Sequence, residues 1–555
     1  MRILLFLAVF SVTTTSAFVG WPSRSSQTTF FPTRTPAVAA DGDRHTSIDA
    51  HHDFVICGAG PAGLLTAIML AQQERLDDKK KKMIHVYDRL APPFSPDDEQ
   101  IWGQTEKFYL IGLGGRGQMA LRRFGVWDSV ERRCVGVLGR KDWTPQSREG
   151  VERIFQADEK LVVTQVLPRD KLVGVLYEHI LDHYNDRIVF HFGAELSPLD
   201  FAHGAEGNQV LLRIAQCSAD VANLTFSQVK QASYEAPEVL CDVDDEEAIT
   251  TTVSTDMLIA ADGTVRTIAN AMERLDQETG HQPPFRVVRY PDDNQRIYKT
   301  IPFRIPDSWR RDLNYSVRSV GSRVIFEALP ANTRGDYAGV MLLKVDDPMA
   351  ISQDPVEFRQ FLDEYLPQFS PLIDDNTVAT VAAKPVSYLP GFRYVGPRLH
   401  QGNRCVMLGD CAHTVKPYFG LGANSALQDV SILADMFQAT DYDLTKAVHS
   451  YSQQQAYEAA DLVRISRELD RPGTLGLLTF VAPLILDAIF HKAAPAVFSP
   501  NTITMLQREA YTFEQVGRIK RRDRVGQLMI LGTGAYGSFW ALQQVVGALQ
   551  QALGG

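Results

Sequence analysis

Short apolar runs, each closed by a glycine turn or an acid, are the clearest pattern in the chain. One run covers Phe54, Val55 and Ile56, a second covers residues 83–87, and residues 64–72 between them have helical composition. Apolar runs of this length, bounded by turn signals, are typical of buried strands. The pattern therefore predicts strand, turn, helix and strand in that order. Two further buried strands are predicted at residues 256–261 and 404–408, each followed by an acid and a glycine.

The rest of the pattern completes an α/β fold with a separate β-rich layer. It predicts helices at 118–124, 169–183 and 425–437, and strands at 161–166 and 188–192. Residues 285–386 carry several short alternating strands with turn signals, which indicates a largely antiparallel layer. From residue 444 onward the chain is mostly helical in pattern.

The first turn has the sequence of a dinucleotide-binding loop. Gly58 permits a tight turn, Gly60 lets the backbone approach a pyrophosphate, and Gly63 lets the helix pack on the strand. The phosphates would lie at the helix N-terminus, where unpaired N–H groups favour negative charge. Asp88 ends the second strand and could accept hydrogen bonds from ribose hydroxyls. Ala62 and Arg89 flank these positions and are further candidates for cofactor contact.

Two distant segments suggest that the same cofactor is a flavin nucleotide. Asp410, after Gly409, closes a strand where its carboxylate could accept a hydrogen bond from a ribityl chain. Glycines after Pro417 open a helix whose positive N-terminal end would face the flavin ring and stabilise negative charge on it. The candidates here are Asp262, Gly409, Asp410, Pro417, Gly420, Gly422 and Asn424.

From about residue 53 to about residue 524 the chain resembles the class A flavoprotein monooxygenases, and most of all their kynurenine 3-monooxygenase branch. The matching stretches are 112–126, 167–172, 256–263, 409–429 and 498–517. The resemblance implies a GR2-type Rossmann-like FAD-binding domain, an inserted antiparallel β-sheet substrate domain and a helical C-terminal region. It also implies FAD as cofactor, NAD(P)H as co-substrate, and hydroxylation by O2 through a C4a-hydroperoxyflavin.

The resemblance assigns several side chains residue by residue. Arg169 matches an FAD-contacting arginine, and Arg140 matches an arginine that grips the substrate carboxylate. A guanidinium suits that task because its planar fork matches a carboxylate. Tyr511 falls at a substrate-side tyrosine, and Phe155 is the nearest aromatic to a second one. No protein acid or base is required for the oxygen transfer, His413 is expected to be structural, and no metal site is expected.

Three positions depart from the branch and leave the substrate open. Leu469 aligns with a pocket asparagine, Leu421 replaces a glutamine, and Arg266 stands where a serine is usual. These changes favour a more hydrophobic substrate than kynurenine. The resemblance and Arg140 still make one function the leading one: hydroxylation of an aromatic small molecule that carries a carboxylate. The alternatives are a plastid isoprenoid or carotenoid epoxidase and an FAD-dependent isoprenoid reductase.

The two ends of the chain have their own signals. Residues 1–17 resemble a secretory signal, and residues 18–48 are rich in Ser, Thr and Pro, like a transit peptide. Together they predict the plastid of an alga with secondary plastids, with the endoplasmic reticulum or secretory route as the alternative. After a basic cluster at 518–524, residues 525–555 carry no charge, which suggests possible membrane association.

Composition narrows the partners. The net charge is -10 and no basic domain is visible, so nucleic acid is not expected as a partner. The six cysteines show no CxxC spacing and predict no disulfide framework. The expected domain boundaries are 1–17 (signal peptide), 18–48 (leader), 49–275 and 396–460 (FAD-binding domain), 276–395 (substrate sheet), 461–524 (helical region) and 525–555 (tail).

Overall fold

The computed structural model describes residues 48–77, 80–103, 108–154, 162–217, 250–292 and 294–553. The proposed signal and leader up to residue 47 lie outside these ranges, as does Phe155.

Strands and helices alternate over the first half, and helices dominate the second. The strands are β1 (Ala50–Cys57), β2 (Ile84–Asp88), β3 (Leu110–Leu113), β4 (Val135–Val137), β5 (Gly139–Trp143), β6 (Val151–Ile154), β7 (Thr164–Pro168), β8 (Ile188–Phe192), β9 (Ala194–His203), β10 (Gln209–Gln216), β11 (Thr250–Ala260), β12 (Arg286–Arg289), β13 (Arg296–Arg304), β14 (Leu313–Arg318), β15 (Ile325–Pro330), β16 (Asp336–Lys344), β17 (Ser387–Tyr388), β18 (Arg393–Gly396), β19 (His400–Gln401), β20 (Cys405–Met407) and β21 (His413–Thr414). The helices are α1 (Pro61–Ala71), α2 (Glu99–Trp102), α3 (Gly115–Arg123), α4 (Trp127–Glu131), α5 (Arg169–His183), α6 (Thr267–Thr279), α7 (Pro355–Tyr365), α8 (Asp375–Ala383), α9 (Leu421–Ala439), α10 (Leu444–Glu468), α11 (Gly473–Gly476), α12 (Ala482–Ala493), α13 (Thr502–Gln507) and α14 (Phe513–Leu553).

A mixed sheet forms the centre of the first layer. Its order is β19-β20-β11-β1-β2-β8, and β20, β11, β1, β2 and β8 run parallel, as the buried apolar runs predict. Strands β9 and β10 extend it antiparallel from β11. A parallel sheet buried on both faces needs continuous apolar strands, and Phe54, Val55 and Ile56 are fully buried in the main core. The α/β fold class is confirmed.

A seven-stranded sheet forms the second layer in the order β17-β13-β16-β15-β14-β5-β6. It contains most strands of the segment that the sequence predicts as the substrate sheet, and we keep that name for it. Its pairs are antiparallel except β14 with β5. One face packs in an apolar core that includes residues of helices α7 and α8. These helices were not expected within 285–386. Strands β5 and β6 come from the segment assigned to the FAD-binding domain, so the chain enters the substrate sheet earlier than residue 276.

Two small sheets and the C-terminal helices complete the structure. Strands β3, β7 and β4 form one sheet, and β12, β18 and β21 form the other. Helix α14 runs for 41 residues and includes the basic cluster and the uncharged segment from residue 525 to Leu553. Within the described residues, no helix has the length and apolarity to cross a membrane.

Candidate functional site

The turn after β1 has a geometry that only glycine allows at two of its positions. Gly58 has a φ of +106°, and a Cβ there would lie 2.4 Å from the carbonyl oxygen of Ala261. A Cβ on Gly63 would lie 1.9 Å from the carbonyl oxygen of Gly58. The backbone of this turn therefore lies close against the residue that follows β11 and against the start of α1. Helix α1 has no side-chain N-cap, so its first N–H groups can serve an anion.

Asp88 closes the turn from the neighbouring strand. One carboxylate oxygen accepts from the Ala59 N–H at 2.7 Å, and the other accepts from the Leu90 N–H at 2.8 Å. Each oxygen keeps a second lone pair, which is what a ribose hydroxyl requires. The carboxylate therefore lies at the position that the sequence predicts for it.

Three buried polar atoms beside this turn have no partner among the described residues. They are Arg89 Nη1, Glu195 Oε2 and Asp262 Oδ1. Arg89 and Glu195 form a buried ion pair at 3.2 Å, and burial raises the pKa of Asp262. Buried polar atoms are almost always hydrogen-bonded in folded proteins. The unmet donor and acceptors fit the polar edges of an adenosine, so the residues present suit a dinucleotide.

Arg169 supplies positive charge at the phosphate end. It is the first residue of α5, and its Nη1 bonds Asp170 at 2.7 Å. Its Nη2 lies 3.2 Å from where a Cβ on Gly60 would be. The guanidinium therefore stands over the glycine turn, where the sequence places the pyrophosphate.

The predicted flavin end lies where β20 and α9 approach each other. Gly420 has a φ of +63° and precedes α9, whose N-terminus carries no side-chain cap. Asp410 Oδ1 lies 3.8 Å from the position of a Cβ on Gly422. Within the described residues the Asp410 carboxylate has no hydrogen-bond partner. A free carboxylate beside an uncapped helix start fits a ribityl hydroxyl next to a flavin ring. The 3₁₀ turn that leads into α9 starts at Pro417.

Asn424 has a different task from the expected cofactor contact. Its amide donates to the carbonyls of Gly112 at 2.8 Å and Gly420 at 2.6 Å. Its oxygen accepts from the N–H groups of Gly114 at 2.8 Å and Gly117 at 3.2 Å. All four hydrogen-bonding positions of the amide are thus used by the backbone. Asn424 ties α9 to the glycine-rich segment at the start of α3.

Arg266, noted only as a departure from the family pattern, clamps the loop that carries Asp410. Its side chain is buried and donates to the carbonyls of Asp410 at 2.6 Å and Cys411 at 3.1 Å, and to Thr414. Burial lowers its pKa to about 10, so it remains charged at neutral pH. His413 is also structural: it pairs with Asp429 at 2.8 Å, and Asp429 accepts from the Gly409 N–H at 2.8 Å.

Lys416 and its partners form a buried cluster that sequence patterns did not reveal. The Lys416 ammonium donates to Asp292, to Asp470 and to the carbonyl of Asn294, each at 2.7 Å. The ammonium side chain is fully buried. Burial raises the pKa of Asp470, although Lys416 opposes that shift. The cluster fixes the residue before Pro417 and hence the turn at the flavin end. Asp470 follows Leu469, which was noted in the sequence only because it aligns with a pocket asparagine.

Tyr511 lies in an apolar cluster that also contains Leu421 and Leu469. Its carbonyl accepts from Arg116 at 2.5 Å. Arg116 also reaches Gln428 and the carbonyls of Leu506 and Arg508. This cluster packs the C-terminal helices against the start of α9. Leu469 and Leu421 both contribute to its apolar packing.

Arg140 lies on β5, on the face of the substrate sheet opposite α7 and α8. Its Nε bonds Asp142 at 2.7 Å, and its Nη2 lies 3.4 and 3.5 Å from the two oxygens of Glu327. These three residues share one surface with Ser316, whose hydroxyl donates to Glu327 at 3.1 Å. The expected arginine is thus present, but two protein carboxylates already face it.

Two apolar clusters flank this polar row. One joins Ala338 and Leu329 of the sheet to Leu110 and Val166 of the small sheet. The other joins Tyr298 and Leu342 of the sheet to Leu389 and Tyr418. The sheet register places Ser316, Glu327 and Val340 in one row between them. We call this row and its flanking walls the sheet recess.

Sequence comparisons match this chain to an FAD-binding domain and to several named enzymes. Residues 215–464 match the family model described as FAD binding domain. Kynurenine 3-monooxygenase of Salinispora tropica is 24% identical over 480 residues, covering 85% of this chain and 91% of that protein. Violacein synthase of Chromobacterium violaceum is 23% identical over 281 residues, covering 49% of this chain and 61% of that protein.

Solved structures share the fold at low identity. PqsL of P. aeruginosa, in complex with 2-aminobenzoylacetate, has a TM-score of 0.52 at 16% identity, covering 78% of this chain and 99% of that chain. A mutant of 2-methyl-3-hydroxypyridine-5-carboxylic acid oxygenase has a TM-score of 0.52 at 14% identity, covering 77% of this chain and 96% of that chain.

Proposed function

This chain is an FAD-dependent monooxygenase, and we propose that it hydroxylates an aromatic small molecule that carries a carboxylate. NAD(P)H supplies the electrons and O2 supplies the oxygen atom. FAD provides the oxygen-transfer chemistry when it is bound. The chain's own residues bind the dinucleotide, orient the substrate and keep water out.

The proposal depends on the hydrogen bonds and the exposure of the Arg140 side chain. Asp142 holds the Nε side of the guanidinium at 2.7 Å, which fixes its direction. The terminal Nη2 has only long contacts to Glu327, and 36% of the Arg140 side chain is exposed. The outer edge of the guanidinium can therefore take a substrate carboxylate in a bidentate pair.

The names of two structural relatives point to the same chemistry. One was solved with 2-aminobenzoylacetate, and the other is an oxygenase named for a pyridine carboxylic acid. Both names combine an aromatic ring with an acid group. The kynurenine 3-monooxygenases support an aromatic substrate in general, and their identity of about 24% leaves the particular compound open.

The isoprenoid epoxidase and isoprenoid reductase alternatives have less support. The epoxidase drew on the apolar substitutions, such as Leu469, and on the uncharged C-terminal segment. Leu469 and Leu421 belong to the apolar cluster around Tyr511. A hydrocarbon in the sheet recess would cover Ser316 and Glu327 without satisfying them, which costs free energy. The basis for a hydrophobic substrate is therefore weakened.

The test is a substrate screen followed by one pair of variants. Aromatic acids, their amides and carotenoids are screened for stimulated NAD(P)H oxidation and O2 consumption by the FAD-loaded enzyme. With the best acid, Arg140→Ala should raise KM by about 10- to 100-fold, since charge-assisted pairs contribute about 1.5–3 kcal/mol.

Arg75→Ala is the matched control, because Arg75 is exposed, pairs with Asp441 at 2.7 Å and lies outside the substrate sheet. It should leave KM unchanged, and the flavin spectrum should be the same in both variants. If Arg140→Ala turns over the acid normally, the carboxylate assignment is wrong. A carotenoid that outperforms every acid would favour the epoxidase.

A further inference from the structure

Glu327 occupies the centre of the sheet recess. It belongs to β15, and its register partners are Ser316 on one side and Val340 on the other. Its side chain is 34% exposed, yet desolvation by the surrounding protein raises its pKa. A group that is both reachable and desolvated lies in a recess, where a small ligand can contact it.

The charged side chains that act on Glu327 come from strands β5 and β14. Arg140 and Asp142 face it from β5, and Arg318 acts on it from the end of β14. Among the described residues its other sheet neighbours, Ser316 and Val340, carry no charge. Arg140 lies between Asp142 and Glu327, so two acids share one close guanidinium.

A substrate carboxylate at Arg140 would add a third negative charge to this group. Like charges close to one another disfavour full ionisation of the group, so one of the two protein acids takes up a proton. Asp142 has the short bond to Arg140 at 2.7 Å, whereas Glu327 has only the contacts at 3.4 and 3.5 Å. Glu327 is therefore the acid that takes up the proton.

We propose that Glu327 takes up one proton from solvent when an aromatic carboxylate binds Arg140, and then donates a hydrogen bond to that carboxylate. This inference rests on the proposed function. The proton balance is one proton gained by the Glu327 carboxylate from water, with no covalent bond formed or broken in the ligand. Glu327 thereby makes the site selective for acids over amides at low pH.

The test uses benzoate, the smallest aromatic carboxylate, and benzamide, its uncharged match. Binding to the FAD-loaded enzyme is measured by calorimetry in two buffers of different protonation enthalpy, which counts the protons taken up. We expect about one proton per benzoate and none per benzamide. The benzoate affinity should fall about tenfold per pH unit above the pKa of Glu327, as linkage requires.

Glu327→Gln should bind benzoate without proton uptake and without that pH dependence. Glu152→Gln is the matched control, because Glu152 is an exposed acid on β6 that pairs with Arg310; it should behave like the unaltered enzyme. The flavin spectrum of each variant shows that it has folded. A carboxylic-acid carbonyl band in the infrared difference spectrum of the unaltered enzyme with benzoate gives a second measurement, independent of any variant.

The outcomes separate the two proposals. If benzoate binds through Arg140 with no proton uptake and no carbonyl band, the Glu327 inference fails and the proposed function stands. Uptake that persists in Glu327→Gln also overturns the inference. If benzoate binds no better than benzamide, or equally well to Arg140→Ala, the carboxylate substrate itself is rejected.

Discussion

Replacing Lys416 with methionine should destabilise the protein strongly, because it leaves two buried carboxylates without their cation. The Lys416 ammonium uses all three of its protons, on Asp292, Asp470 and the carbonyl of Asn294, each at 2.7 Å. Removing one partner of a buried pair typically costs about 3–5 kcal/mol. Methionine keeps a similar volume, so the loss reports charge and hydrogen bonding more than packing.

The assay is urea unfolding followed by tryptophan fluorescence, with Lys446→Met as control. Lys446 is an exposed lysine that pairs with Asp443 at 3.1 Å, and exposed pairs contribute only about 0–1 kcal/mol. The turn at Pro417 follows Lys416 directly, so Lys416→Met should also release FAD more readily than the control.

The pH dependence provides a sharper criterion. Burial already raises the pKa of Asp470, and Lys416 opposes that rise. Without Lys416 the pKa of Asp470 rises further, so its charged form penalises the folded state at neutral pH. As the pH falls through this raised pKa, Asp470 takes up a proton and the loss caused by Lys416→Met should shrink. A loss below about 1 kcal/mol, or one that does not shrink, would refute the reasoning.

Three other predictions concern the cofactor turn and the leader. Gly63→Ala should yield protein without FAD, because its Cβ would lie 1.9 Å from the Gly58 carbonyl oxygen. The control Gly391→Ala, with open space around the added Cβ, should bind FAD normally, and a yellow Gly63→Ala protein would contradict the turn geometry. Asp88→Ala should weaken FAD binding by about 1–3 kcal/mol, the cost of unpaired buried groups, as measured by flavin fluorescence; release of FMN from the unaltered protein would count against an adenosine site. A reporter fused to residues 1–44 should enter the plastid of an alga with secondary plastids, and residues 1–17 alone should stop in the endoplasmic reticulum; secretion or mitochondrial import of the longer fusion would reject the plastid proposal.

Local signals were enough for the cofactor turn and for several helices. The glycines from 58 to 63 and the acid at 88 lie within one strand–helix–strand unit, so their spacing alone predicts it. The helix predicted at 169–183 has those bounds in the structure. Helix α9 begins at Leu421, earlier than predicted, because Gly420 and not Asn424 precedes its first turn.

Contacts between distant segments could not be predicted from the sequence. Asn424 was assigned to the cofactor by family pattern, and only the fold brings Gly112, Gly114 and Gly117 to its amide. The partners of Lys416 come from two segments distant in sequence, and the approach of Glu327 to Arg140 depends on sheet register. Helices α7 and α8 were missed because they interrupt a segment whose alternation suggested strands throughout.

The order of strands in the mixed sheet has a consequence for how the protein is made. Strand β1 pairs with β11, and β11 pairs with β20, so five of the seven strands of the substrate sheet, β13 to β17, are synthesised between the last two partners. Closing such long loops is slow, because their entropy is lost before the contacts form. Asp410 and the helix that begins at Leu421 come later still. The glycine turn and Asp88 of the adenosine half therefore leave the ribosome long before Asp410 and the start of α9, and the flavin half is complete only after most of the protein has been synthesised.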